Sequence, residues 1–364
     1  MSYTLNDKIK NLVPYEPISG EYKIRLDANE CTLNYDADFM NTVDNVIHNL
    51  DFNRYPDPMC TELRKSFSEF YGIDYKNVTV GNGSDELIFL IESAFLKKGD
   101  RLLTVTPDFS MYEFYSSITE NPCIKFSKKE DLNIDIDALI DTVNNENISL
   151  IIFSNPCNPT GQGITKSEAE KLVKSVNALV VLDEAYMDFW DESNSLLKDV
   201  NEYSNLIVFR TASKALGSAA LRLGFAVSNE TISRAIAAVK SPYNVNSISQ
   251  AIGSKLYKNK IFLNNRIKTI VENTKKLYNE LVRLSGLCED FYVFKTKTNF
   301  VFVKTGFGKE LWEYLKDNSI AIRWMGDYIR ITSGTQKEIN TVVYVIERFI
   351  MERKNEKCRI KQND

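Results

Sequence analysis

Histidine is almost missing from this chain: among 364 residues only His48 occurs. Catalysis built on an imidazole base, or a zinc site built on paired imidazoles, has almost nothing to draw on. His48 has no cysteine or histidine close by in sequence and reads as a helix-surface residue. The six cysteines, Cys31, Cys60, Cys123, Cys157, Cys288 and Cys358, never fall in a C-x-x-C spacing. They read as free thiols in a reducing compartment, and no metal site is expected. No apolar run approaches the ~18 residues a membrane helix needs, so no membrane partner is expected. Residues 1–10 are polar and lack the apolar core of a secretion signal, which points to the cytoplasm. Basic charge is not in surplus either. Lys and Arg number 45 against 49 Asp and Glu, a formal net charge of −4, which argues against a nucleic-acid partner. Chemistry on this chain has to run on lysine, tyrosine and carboxylates.

What is there resembles an ordinary globular enzyme, 43% hydrophobic and 26% charged, at a length that suits two domains. Residues 1–30 read as a polar arm. From about residue 77 to 227, short apolar runs alternate with helical stretches; the strand candidates are Val78–Val80, Arg101–Val105, Ser149–Ser154, Leu179–Asp183, Leu206–Arg210 and Gly224–Val227. That alternation predicts a mainly parallel sheet with helices on both faces. We expect the three-layer α/β domain over 31–245 and a smaller α+β domain over 246–364, ending in a charged, frayed tail.

Four stretches carry chemistry. In Val80-Gly-Asn-Gly-Ser-Asp-Glu86 a strand meets glycines and then a helix, which aims free N–H groups and a positive dipole end at one spot, a phosphate corner at Gly83, Ser84 and Asp85. A plain helix start capped by Ser84 or Asp85 is the other reading. Ile152-Phe-Ser-Asn-Pro-Cys-Asn-Pro-Thr-Gly161 builds a stiff turn at a strand's carboxyl end, where its amides can meet a phenolate-like oxygen. Val180-Val-Leu-Asp-Glu-Ala-Tyr186 puts Asp183 at the end of an apolar strand, costly unless a cation such as a protonated pyridine nitrogen pairs with it. Tyr186 lies within reach of the same ring. Finally, Arg210-Thr-Ala-Ser-Lys-Ala-Leu-Gly-Ser-Ala-Ala-Leu-Arg222 sets Lys214 among the hydroxyls of Thr211 and Ser213, with Arg222 beyond. A lysine so placed can form an imine with an aldehyde while the hydroxyls and the arginine hold a phosphate.

In this order, these motifs resemble the fold-type-I aminotransferases that use pyridoxal 5′-phosphate. Arg54-Tyr-Pro-Asp-Pro58, Tyr243-Asn-Val-Asn246, Thr298-Asn-Phe300 and Ile329-Arg-Ile-Thr-Ser-Gly-Thr335 resemble the histidinol-phosphate aminotransferase branch. The resemblance implies that Lys214 bonds to the cofactor aldehyde and then shuttles a proton, that Asp183 pairs with the pyridine nitrogen, and that Asn158 and Tyr186 bind the ring 3′-oxygen. It implies Tyr112 against the ring face, and the phosphate held by Gly83, Ser84, Asp85, Thr211, Ser213 and Arg222. Tyr55 would reach that phosphate from a second subunit, which implies a homodimer with shared sites. Arg330 and Arg323 would take the substrate's anionic groups, with Tyr15 and Tyr243 at its edge. Two places depart from the branch: Asn29-Glu-Cys-Thr32 stands for Asn-Glu-Asn-Pro, and Gly217-Ser-Ala-Ala-Leu-Arg222 for Gly-Leu-Ala-Gly-Leu-Arg.

The activity implied is transfer of an amino group from histidinol phosphate to 2-oxoglutarate. Alternatives on the same cofactor are an aromatic amino-acid aminotransferase, with Tyr112, Tyr243 and Trp324 lining the pocket, and a decarboxylase of phosphorylated threonine. A non-catalytic cofactor-binding regulator is the alternative from another class.

Overall fold

In the computed structural model, residues 3–14, 16 and 18–363 are described, with side chains to residue 355. The twelve strands are β1 Ile24–Leu26, β2 Val78–Asn82, β3 Arg101–Thr106, β4 Cys123–Ser127, β5 Ile148–Ser154, β6 Leu179–Asp183, β7 Leu206–Thr211, β8 Leu223–Ser228, β9 Tyr292–Val293, β10 Phe300–Lys304, β11 Ile320–Met325 and β12 Tyr328–Thr332.

Seven of them form one sheet in the order β2-β8-β7-β6-β5-β3-β4. Pairings from β7 through β4 are parallel; β8 runs antiparallel to both β7 and β2. Alternate residues serve opposite faces, as the pleat requires. Leu103, Val105, Ile151, Phe153, Val180 and Leu182 join one core, while Leu102, Leu150, Ile152 and Val181 join another. Both faces are thus covered, which is why these strands are continuous apolar runs in sequence. Ser154, Asp183 and Thr211 end β5, β6 and β7 at one edge of the sheet, and Gly224 pairs with Thr211 there.

The second sheet has the order β1-β11-β12-β10-β9, and β1 pairs parallel to β11 while the rest is antiparallel. The stretch read as an arm therefore supplies a strand. The helices Ser247–Lys258 and Lys260–Ser285 begin within the segment assigned to the smaller domain, yet Ile252, Leu256, Tyr257, Leu263 and Ile270 pack into the core of the seven-stranded sheet. Residues farther along, Leu277, Leu281 and Leu284, pack under the five-stranded sheet. One long helix spans both cores. The charged tail, expected to fray, continues the helix Gln336–Asn363; its Glu, Lys and Arg residues are good helix formers. Among the described residues no helix is long and apolar enough to cross a membrane.

Candidate active site

At the carboxyl edge of the larger sheet, the turn after β2 is the tightest point. Gly83 has φ +83°, and a Cβ there would lie 2.5 Å from Arg222 Nη2. A Cβ on Gly224 would lie 2.4 Å from the carbonyl carbon of Gly83 and from Ser84 N. Only glycines let Arg222 and two backbones meet at this spot. Gly83 itself is the N-cap of the helix Ser84–Phe95 and no side chain caps it. The expected cap by Ser84 or Asp85 is not made, so the first-turn N–H groups face outward with the positive helix end. Arg222, held in the left-handed region at φ 50°, leans over them 3.4 Å from Asp85 Oδ2. Across β7, Thr211 Oγ1 lies 3.0 Å from Ser213 Oγ and accepts the N–H of Ser213 at 3.1 Å.

Lys214 follows directly. Its Nζ is 3.4 Å from the Ala28 carbonyl and 5.9 Å from the centre of the Tyr186 ring. Asp183, 4% exposed, has its Oδ1 on the Ala185 N–H at 3.1 Å and its Oδ2 on the Tyr112 hydroxyl at 2.8 Å. Burial pushes its carboxyl up to about 6, opposed by the Tyr112 hydrogen bond and the Ala185 amide and aided by Asp108. Two contacts leave the carboxylate room for a third donor.

Tyr112 requires a correction. Expected against a ring face, it is fully buried, and its hydroxyl is committed to Asp183. The helix Met111–Thr119 turns it inward, beneath Phe109, whose ring meets it edge-on at 5.6 Å. Phe109 is half-buried and is the aromatic face left at this corner. Sequence spacing alone does not tell whether Phe109, just ahead of the helix, or Tyr112, in its first turn, faces the site.

The stiff turn is anchored as its residue types suggest. Ser154 Oγ donates to Asp108 and accepts the Asn158 N–H at 3.0 Å. The bonds preceding Pro156 and Pro159 are cis. Asn158 Oδ1 accepts a hydrogen bond from Arg330 Nη1, and Arg330 Nη2 donates to the Asp27 carbonyl at 2.7 Å. Arg330 thus reaches from β12 to the turn that follows β5. Arg323 is its direct cross-strand partner, so the two guanidinium-bearing side chains leave the same face.

Beneath this edge lies an ion cluster that the sequence did not reveal. Arg210 is fully buried among Glu184 at 2.9 Å, Glu192 at 2.8 Å and Asp188 at 3.1 Å. Burial raises Glu184 and Asp188, while the shared guanidinium pulls them back. The cluster ties the residue after Asp183 to the strand that leads into Lys214.

Tyr55 and Tyr243 are 80% and 48% exposed and stack on each other at 4.5 Å. Asn244 beside them donates to Val80 O and Glu86 Oε2, which places the pair next to the glycine corner. Tyr15 lies outside the described residues. Trp324, one residue from Arg323, points to the opposite side of β11, 5.8 Å from Trp312, with its Nε1 on Gly326 O.

The sequence matches the family described as aminotransferase class I and II over residues 21–346. It is 42% identical over 344 residues to the histidinol-phosphate aminotransferase of Clostridium novyi, covering 93% of this chain and 95% of that one. The crystal structure of histidinol-phosphate aminotransferase from Sinorhizobium meliloti in complex with pyridoxal-5′-phosphate superposes with a TM-score of 0.84 at 21% identity, covering 91% of this chain and 92% of that one. That of L-threonine-O-3-phosphate decarboxylase from Porphyromonas gingivalis gives 0.76 at 23%, covering 90% and 99%. The architecture is the three-layer α/β arrangement of fold type I, and the chain belongs to the aminotransferase class I and II family.

Proposed function

We propose that this chain is a pyridoxal 5′-phosphate-dependent aminotransferase acting on histidinol phosphate and 2-oxoglutarate, in the cytoplasm and as a homodimer. When bound, the cofactor supplies an aldehyde that condenses with amines and a ring that draws electrons from the substrate's Cα. The donor set supports this reading. Uncapped N–H groups beside Gly83, with Arg222, Thr211 and Ser213, suit a phosphate dianion. Asp183 retains acceptor capacity for a ring N–H cation, and that pairing relieves the cost of burying its charge. Asn158 and Tyr186 offer hydrogen bonds to the 3′-oxygen, and Phe109 a face for the ring. Tyr55 would complete the phosphate site of the partner. Lys214 Nζ, beside the Ala28 carbonyl and the Tyr186 ring, is the amine that would hold the cofactor's aldehyde and would move a proton at the substrate's Cα. In this reading the chain divides into an arm, a large cofactor-binding unit and a smaller C-terminal unit that share the helix Lys260–Ser285.

The substrate half is carried by one observation: Arg323 stands directly across from Arg330. Like charges so placed repel unless an anion lies between them, and two guanidiniums match a phosphate dianion better than a single carboxylate. The name of the Clostridium novyi relative supports the same substrate. The aromatic reading loses support, because Tyr112 and Trp324 both face elsewhere. A phosphothreonine decarboxylase keeps the phosphate argument and has a structural neighbour in its favour. An amino-donor screen with histidinol phosphate, phenylalanine, tyrosine and O-phosphothreonine separates them. We expect 2-oxoglutarate to become glutamate with histidinol phosphate; carbon dioxide released from phosphothreonine, with no glutamate formed, would overturn the assignment.

A further inference from the structure

Asn29 is 1% exposed and holds a left-handed backbone at φ 56°, a conformation that asparagine tolerates better than most residues. Its polar groups are all engaged. The N–H donates to Thr332 Oγ1 at 3.1 Å, the carbonyl accepts from Asn299 Nδ2 at 3.1 Å, Oδ1 lies 3.2 Å from Thr332 Oγ1, and Nδ2 lies 2.9 Å from Tyr186 Oη. A backbone N–H can only donate, so Thr332 Oγ1 accepts from it, and the same hydroxyl donates to Asn29 Oδ1. That choice orients the amide, with its NH₂ toward Tyr186. An amide nitrogen only donates, so Tyr186 Oη accepts there, and its single proton is left to point elsewhere.

We propose that Asn29 and Thr332 are positioning residues that compel Tyr186 to donate its phenolic proton to the cofactor's 3′-oxygen. The inference rests on the reading of Tyr186 given above. Thr332 sits two residues from Arg330 on the same face of β12. The strand that presents the substrate's cation thus also fixes the polarity of a cofactor contact on the other sheet.

The test is a pH titration of the visible absorption band of the purified, cofactor-loaded protein, which reads the proton held between Lys214 and the ring oxygen. Tyr186→Phe removes the donor, leaves more negative charge on the ring oxygen, and should raise the midpoint by about one unit, about tenfold in proton affinity. Asn29→Asp replaces the NH₂ by an oxygen that takes the Tyr186 proton for itself. It should raise the midpoint at least as much, and in the Tyr186→Phe background the added rise should be smaller, because only the new carboxylate's charge then acts. Thr332→Val should raise it as well, and Thr332→Ser should restore it. A wild-type midpoint in Asn29→Asp, or an equal added shift in the Tyr186→Phe background, overturns the inference. If Asn29→Asp does not fold, equal midpoints in Thr332→Val and Thr332→Ser overturn it. If Tyr186→Phe alone shifts nothing, the reading of Tyr186 as a ring-oxygen contact fails instead.

Discussion

On the proposed reading, the cofactor's ring nitrogen meets one buried carboxylate, Asp183. Burial pushes its carboxyl up to about 6, and a cation beside it would favour the charged form; a protonated ring nitrogen is such a cation. Asp183→Ala leaves that nitrogen without its partner. Losing one electrostatic contact to the reacting group raises the barrier by about 2.7–4 kcal/mol, so we expect kcat to fall by roughly 10²–10³-fold in steady-state assays, with the fold retained by circular dichroism. A second buried acid has no such use. Glu92, on the helix Ser84–Phe95, is fully buried, neither carboxylate oxygen has a hydrogen-bond partner among the described residues, and burial alone raises it to about 8. Unfolded, it would ionise near the ordinary value, so between about 4.5 and 8 the unfolded chain holds fewer protons and stability declines as pH rises. Glu92→Gln cannot ionise. Denaturant melts should show it nearly equal to wild type at pH 5 and more stable by about 2–4 kcal/mol at pH 8; an equal gap at both values would contradict this.

Among the elements, the glycine corner depends on the close approach of two backbones. Gly224→Ala pushes a methyl group into the backbone of Gly83 and Ser84, 2.4 Å away. The first-turn N–H groups must shift, and cofactor affinity should drop by at least about tenfold, which corresponds to about 1.4 kcal/mol, in fluorescence titrations of the apoprotein. An unchanged Kd would show that the corner does not hold the phosphate. The strands at this edge were legible because β5, β6 and β7 are buried on both faces and so read as unbroken apolar runs. Two strands were not. β4, Cys123-Ile-Lys-Phe-Ser, is an edge strand with exposed and half-buried residues, and β1 is three residues long and gains its order only by pairing with β11. Side-chain direction was the other gap. The motifs singled out Asp183, which ends β6, Lys214, which follows β7, and Arg222, which immediately precedes β8. They did not give Asn29, Phe109 or the inward turn of Tyr112, which depend on packing across elements far apart in sequence.

At the scale of the whole molecule, the stacked and exposed pair Tyr55 and Tyr243 beside the glycine corner fits a surface that a second copy covers. If Tyr55 serves the partner's phosphate site, Lys214→Ala and Tyr55→Ala lie in different subunits of each site. Each variant alone should be nearly inactive, while mixed dimers assembled from both should regain activity, because one of their two sites is intact. Mixed dimers no more active than the parents would place Tyr55 outside the site. The account as a whole depends on Lys214 Nζ. Borohydride reduction of the purified protein incubated with pyridoxal 5′-phosphate, followed by peptide mass spectrometry, tests it most directly. We predict one reduced cofactor on the peptide bearing Lys214 and none on Lys214→Ala; a protein that stays unlabelled there, or is labelled equally on other lysines, would contradict the account.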